Sequence, residues 1–200
     1  MRHVVLASNN SGKLKELNRI LEPLGFRTIP QSECGVVEVE ETGLTFVENA
    51  ILKARNAAQY TDNPVIADDS GLEVDYLNGS PGIYSARFAG PMAKDPENNQ
   101  KLLQLMAGVP SQLRGARFRC VLVFMRHSND PSPIIAQGVW AGQITELPSG
   151  GDGFGYDPLF FLPSLGKTVA ELPLDQKNEI SHRGQALKAL SAQLSGLGFL

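Results

Sequence analysis

Pro64-Val65-Ile66-Ala67-Asp68-Asp69-Ser70-Gly71-Leu72-Glu73-Val74-Asp75-Tyr76 is the stretch from which the rest of the chain can be ordered. The apolar run Val65 to Ala67 after Pro64 predicts a buried strand that delivers two adjacent carboxylates to its end. Side chains alternate between the faces of a strand, so Asp68 and Asp69 share one side only if the strand has already ended. Ser70-Gly71 offers a turn there, because glycine tolerates sharp backbone angles. Leu72, Val74 and Tyr76 then alternate with Glu73 and Asp75, the pattern of a second strand with one wet face. Such an acidic pair is either a solvated, self-capping turn or a place for a divalent cation or a general base. Hard cations favour carboxylate oxygens, and a base must be held beside a water.

Upstream, Val4 to Ala7 reads as a first strand and Ser8-Asn9-Asn10-Ser11-Gly12-Lys13 as a polar turn. Leu14, Leu17, Ile20, Leu21 and Leu24 follow at helical spacing, so the turn lies where a strand feeds a helix. Free N–H groups and the positive end of the helix dipole favour an anion at such a turn, and Lys13 adds a full charge. The turn departs from a P-loop, since it lacks the leading glycine and has Leu14 where a hydroxyl residue would bind magnesium. Phe26 to Val39 reads as a short strand or two. Thr45 and Glu48 have capping-box spacing, which predicts a helix from there to about Ala58. Asn49 and Lys53 project from one face of it, and Glu40 and Glu41 precede it in a loop from which a carboxylate can be aimed.

Downstream, Asn78 to Gly82 is loop, and Asp95-Pro96 reads as an N-cap followed by proline, opening a scaffold helix with Leu102, Leu103 and Met106 inward. Phe118, Cys120, Leu122 and Phe124 alternate over a strand, and Ile134 to Leu147 predicts one or two more, joined to it through Asp130-Pro131-Ser132-Pro133. The glycine-rich segment Gly150 to Pro158 can approach a ligand closely, and Phe154 and Tyr156 offer ring faces for a planar base. Lys177 and Ser181-His182-Arg183-Gly184 lie at or before a last helix with the stripe Leu187, Leu190 and Leu194; cations near a helix start can read an anion or a base edge.

With 200 residues, 42% of them hydrophobic and 20% charged, the chain reads as one globular domain over residues 1–200, or two closely joined lobes without a separable linker. A net charge of −3 gives no support for a nucleic-acid surface, while leaving room for a small anionic substrate in a local basic pocket. Two cysteines, Cys34 and Cys120, match neither a disulfide scaffold nor a zinc site, and Cys120 reads as core. The N-terminal apolar run is too short for a signal peptide and no stretch reaches the roughly 20 apolar residues of a membrane span, so the expectation is a cytoplasmic protein with no membrane partner.

Five blocks, SNNSGK (8–13), EETGLTFVENAILKA (40–54), ADDSGLEVDYLNGSPGIYSAR (67–87), GFGYDPLFF (153–161) and SHRGQAL (181–187), together resemble the inosine triphosphate pyrophosphatase family, in the family's order and over Val4 to about Leu190. The resemblance implies an elongated α/β fold, with a mixed β-sheet and flanking helices forming two lobes around a central nucleotide-binding cleft, assembled as a homodimer. It implies magnesium-assisted hydrolysis of ITP, dITP or XTP to the monophosphate and pyrophosphate. Carried over by position, Ser8, Asn9, Asn10, Ser11, Gly12, Lys13 and Lys53 would hold the triphosphate and Ser70 would touch the substrate. Glu40 and Asp69 would bind Mg2+, with Glu41 also available; Asp69 would be the base, with Asp68 a second candidate. Phe154, Gly155, Tyr156, Asp157, Lys177, His182 and Arg183 would surround the purine, with His182 and Arg183 at its 6-keto edge. Asn9 stands where many members have glycine. Two other readings remain at this level: a nucleotide pyrophosphatase for a pyrimidine or modified base, and a nucleotide-binding sensor without turnover. Carboxylates clustered near phosphates argue against the sensor.

Overall fold

The structure is a computed structural model and describes residues 2–9 and 11–196. The apolar run near the N-terminus forms β1 (Arg2–Leu6), with Val4, Val5 and Leu6 fully buried. It pairs in parallel with β2 (Phe26–Pro30), Val4 opposite Thr28, and with β3 (Val65–Val74), Leu6 opposite Ile66. Parallel neighbours need a crossover. Helix α1 (Ser11–Leu21) and a short 3-10 turn (Glu22–Leu24) connect β1 to β2, and α2 (Phe46–Ala57) lies between β2 and β3. The remaining strands are β4 (Gly115–Met125), β5 (Ile134–Ile144), β6 (Phe160–Leu162) and β7 (Lys167–Thr168). The sheet has seven strands in the order β2-β1-β3-β4-β5-β6-β7, and β5, β6 and β7 pair antiparallel, so it is mixed. Helices α3 (Asp95–Leu105), α4 (Leu174–Ile180) and α5 (His182–Gly196) complete an α/β fold.

The expected turn at Ser70-Gly71 does not form, and β3 runs straight through it for ten residues. Local preference for a turn is weak against hydrogen bonding to a neighbouring strand, and the eleven-residue β4 lies beside β3. Ion pairs follow that alignment: Arg119 Nε of β4 donates to Glu73 of β3 at 2.8 Å, and Arg117 of β4 pairs with Asp75, the residue just past the end of β3. The strand ends at Val74, so Tyr76 lies in a 3-10 turn (Asp75–Leu77) and is exposed. Ile134 to Leu147 resolves into one strand ending at Ile144.

The chain divides into two compact units, one comprising Met1–Asp69, Cys120–Gly138 and Arg183–Leu200, the other Ser70–Arg119 and Val139–His182. Each has its own core. Leu6, Leu17, Ile66, Leu122 and Phe124 pack in the first with the α5 stripe Leu187, Leu190 and Leu194, as its spacing predicts. Leu72, Leu102, Met106, Trp140 and Phe160 pack in the second. Cys120 is fully buried, and burial pushes its thiol up to about 12, which leaves it an inert core residue. Helix α3 is capped at Lys94, whose N–H donates to Glu97 at 2.6 Å, so Asp95 is its first residue and not its cap. Among the described residues no helix is long and apolar enough to cross a membrane.

Candidate active site

In the first unit the chain passes from β1 outward to β2 and then back past β1 to β3. Where strand order reverses in this way, the carboxyl ends of the flanking parallel strands form a natural ligand site. Ala7 N–H still donates to Ile66 O at 2.8 Å, and Ala67, Asp68 and Asp69 follow on β3. Because β3 continues, the two carboxylates alternate in direction and find different cations. Asp68 meets Lys13 of α1 at 2.7 Å, and Asp69 meets Lys53 of α2 at 3.1 Å. A lysine in the first turn of a helix sits against the positive end of the dipole; the buried Asp68 offsets that disadvantage and holds Lys13 there.

The two carboxyls are pushed in opposite directions. Burial alone would raise Asp68, but Lys13, Arg183 and Lys53 together outweigh it and hold the group at about 2, against 3.8 for an ordinary aspartate. Burial raises Asp69, and although Lys53 pulls the other way, the like charge of Glu41 adds to the rise. Lys53 is itself kept charged: burial opposes the charge, yet Asp69, Asp68 and Glu41 together overcome it. One ammonium shared among three carboxylates leaves Asp69 the weaker acid of the pair.

The Asp68 shift has a sign that can be checked. A folded group that is the stronger acid contributes stability above its unfolded pKa, and that contribution is lost as pH falls from about 4 towards about 2. The displacement is worth roughly 2 kcal/mol. In urea unfolding, the parent chain should therefore lose roughly 2 kcal/mol more than Asp68→Asn between about pH 5 and about pH 2.

Helix α2 presents Asn49, Lys53 and Asn56 at helical spacing, and each binds the loop that precedes the helix. Asn49 Oδ1 accepts from Gly43 N at 2.8 Å, Lys53 Nζ meets Glu41 Oε1 at 2.6 Å, and Asn56 Nδ2 donates to Val37 O at 2.7 Å. Thr45 caps the helix as expected, accepting from Glu48 N at 3.2 Å. A Cβ on Gly43 would lie 2.6 Å from the Glu48 Cβ and 2.7 Å from Asn49 Oδ1, so only glycine allows this approach. Asn49 is fully buried, and through its Oδ1 it is a fastener for the loop. The loop is thereby held so that Glu41 joins Asp69 on Lys53, whereas Glu40 is exposed.

Asp69 Oδ2 is buried and has no hydrogen-bond partner among the described residues. Among those residues no three His, Cys, Asp or Glu side chains form a ready-made metal cage. A small hard dication is commonly held by one or two carboxylates, with water and substrate phosphates completing the shell. Asp69 with Glu41 fits that partial donor set, since both are oxygen donors and one acceptor is unspent. Of the phosphate-turn residues, Ser8 is half-buried, Asn9 is exposed and donates to Glu38 Oε1 at 2.6 Å, and Ser11 opens α1 ahead of Gly12. Asn10 lies outside the described residues. Ser70 follows Asp69 on β3 and is half-buried.

The second unit gathers the glycine-rich loop and Lys177. Lys177 lies on its own short helix, α4, and its ammonium meets Asp157 Oδ2 at 2.6 Å, with both side chains buried. Asp157 Oδ2 also accepts from Phe154 N at 3.0 Å. Gly153 has a φ of +90°, and a Cβ there would come within 2.2 Å of that same carboxylate oxygen. Lys177 Nζ stands 4.4 Å from the centroid of the Phe154 ring, which remains 44% exposed. Tyr156 is buried, and its hydroxyl donates to Ser85 O at 2.8 Å. His182, expected beside Lys177 and Arg183, is buried and stacks on Phe118 with centroids 4.9 Å apart. Arg183 belongs to the first unit, where its charge is felt at Asp68. Sequence reasoning passed over Asn56 and the role of Asn49 as a fastener; their signal was the polar stripe 49, 53, 56 on a helix whose other face is alanine-rich.

Comparison with known proteins places these residues in a family. The Ham1 family model matches residues 4–193. The dITP/XTP pyrophosphatase of Yersinia pseudotuberculosis is 57% identical over 190 residues, 95% of this chain and 96% of that protein. The dITP/XTP pyrophosphatase of Escherichia coli K12 is 58% identical over the same shares of the two chains. A HAM1 protein from Coxiella burnetii superposes with a TM-score of 0.93 at 50% identity, covering 98% of this chain and all of that one. A match of that extent, in sequence and in structure, means that this chain belongs to the Ham1 family.

Proposed function

We propose that this protein hydrolyses noncanonical purine nucleoside triphosphates, XTP, dITP and ITP, to the nucleoside monophosphate and pyrophosphate, removing them from the nucleotide pool. The observation that carries the reading is the pair of oppositely shifted aspartates within β3, just past the end of β1, each engaged by its own lysine, in a chain 57% identical to a dITP/XTP pyrophosphatase along 95% of its length.

Lys13, Lys53 and the N–H groups at the start of α1 bind triphosphate oxygens and stabilise charge on the departing pyrophosphate. Asp69 Oδ2 accepts the proton of the attacking water. The water oxygen bonds to the α-phosphorus as the bond to the bridging oxygen of pyrophosphate breaks. Asp69 suits that task better than Asp68, because a carboxyl with a raised pKa is the stronger base, while Asp68 at about 2 stays ionised and secures Lys13. Mg2+ would be held by Asp69 with Glu41, or with Glu40 after a loop adjustment, and when bound supplies Lewis-acid charge that polarises water and phosphate oxygens.

The purine is received by the Phe154 to Asp157 loop, with Phe154 stacking on the base and the Lys177 ammonium donating to a keto oxygen. His182 and Arg183 are assigned to the 6-keto edge. ITP and XTP present that oxygen with a protonated N1, whereas ATP presents an amino group and a bare N1. A site of buried donors left unpaired by the wrong base can discriminate by roughly 10⁴. A homodimer, cytoplasmic residence and action as one catalytic domain complete the reading.

Chromatography of products after incubation with XTP, ITP, dITP and ATP, with and without Mg2+, tests it. XMP and IMP with pyrophosphate, little AMP, and nothing without metal are the expected results. Nucleoside diphosphate plus inorganic phosphate would mean attack at the γ-phosphorus. Metal-dependent binding without product would make the protein a sensor.

A further inference from the structure

The Gly155 peptide groups are satisfied from far away in the chain. Its N–H donates to Asp95 Oδ2 at 2.6 Å, and its carbonyl accepts from Asn99 Nδ2 at 2.9 Å. Asp95 and Asn99 are four residues apart on α3, hence one above the other on one helix face. A surface turn ordinarily spends such groups on its own backbone or on water. Asp95 is available because Glu97 closes the start of α3 on the Lys94 N–H. Asn99 has a defined orientation, since turning its amide over would set oxygen against the Gly155 carbonyl. The gripped residue is central: Phe154 on one side carries the exposed ring under the Lys177 ammonium, and Tyr156 and Asp157 on the other carry the bonds to Ser85 and to Lys177.

We propose that Asp95 and Asn99 are positioning residues for base recognition, a two-point clamp on Gly155 that sets the attitude of the Phe154 ring and of the Asp157–Lys177 pair. The inference rests on the reading above in which this loop receives the purine. Neither residue touches the substrate. The clamp holds the loop in its receiving conformation before binding, so that the ordering cost does not fall on the nucleotide. Its loss weakens substrates that have a base and leaves a bare polyphosphate indifferent.

The test compares Asp95→Ala, Asp95→Asn, Asn99→Ala and Phe154→Ala, measuring kcat and KM for XTP and ATP and the inhibition constant of inorganic tripolyphosphate. Asp95→Ala is expected to raise KM for XTP about tenfold, the worth of one charge-assisted hydrogen bond, and Asn99→Ala, which removes a neutral one, about fivefold, with kcat little changed and XTP-over-ATP selectivity reduced. Tripolyphosphate should inhibit as before, and Asp95→Asn, which keeps an acceptor oxygen for Gly155, should recover most of the loss. An unchanged KM in both alanine variants, while Phe154→Ala raises it, would overturn the clamp and leave the base site standing. Equal weakening of XTP and tripolyphosphate would reduce the clamp to general scaffolding and overturn it as well. If Phe154→Ala itself leaves KM and selectivity unchanged, the base-site reading falls and the clamp with it.

Discussion

Asp69→Asn is expected to fold like the parent chain and to hydrolyse XTP about 10²–10⁴-fold more slowly, the usual worth of a positioned general base. The amide has nearly the same shape, and Asn Oδ1 can still accept from Lys53, so the local packing survives. What disappears is the proton acceptor. The Asp69 oxygen assigned to that role is buried and unspent among the described residues, beside a lysine already shared with Glu41. Kinetics by pyrophosphate release, with circular dichroism to verify folding, give the answer. The parallel variant Asp68→Asn separates the two carboxylates. It should lose stability and slacken Lys13, with a smaller loss of turnover than Asp69→Asn. Equal turnover losses, or near-parental activity in Asp69→Asn, would remove Asp69 as the base.

Lys177→Met should give the largest loss of stability, about 3–5 kcal/mol, because it removes the ammonium paired with a buried carboxylate. Asp157 is 4% exposed, and a neutral bond such as that from Phe154 N does not replace an ammonium at 2.6 Å. For a chain of this size the melting temperature should fall by about 10 °C. The double variant Lys177→Met with Asp157→Leu tells structure from recognition. Replacing a whole buried ion pair by apolar side chains is often neutral for stability, so the melting temperature should largely recover. KM for XTP should stay high, because the donor proposed for the base is gone. Recovery of KM together with stability would confine the pair to a structural role.

These expectations draw on features of unequal legibility. The capping box at Thr45 and Glu48, the apolar strand before the acidic pair and the leucine stripe of α5 depend on residues within a turn or two of one another, and each appears where local spacing put it. The motif blocks likewise identified the family and its α/β sheet. The course of β3 was misread, because whether Ser70-Gly71 turns is settled by β4, a strand that starts more than forty residues later. The choice between Glu40 and Glu41 was open for a similar reason. Adjacent carboxylates in a loop look alike until Asn49 and Asn56 secure the loop to α2 and put Glu41 on Lys53.

Asp95 shows the same division most clearly. Its neighbours describe a good helix cap, and Lys94 is the cap instead, closed by Glu97, leaving Asp95 to hold a peptide sixty residues away. The sequence by itself determined the chemical inventory of this protein: an acidic pair after a buried apolar run, lysines at helical positions, a glycine-rich aromatic loop, and the family to which they belong. Only the tertiary structure decided the pairings, Asp68 with Lys13 and Asp69 with Lys53, and therefore which carboxyl is held ionised and which is left basic. The physical reason is that composition and local spacing set which groups are present, whereas a pKa depends on burial and on charges within a few ångströms, brought there by chain segments remote in sequence.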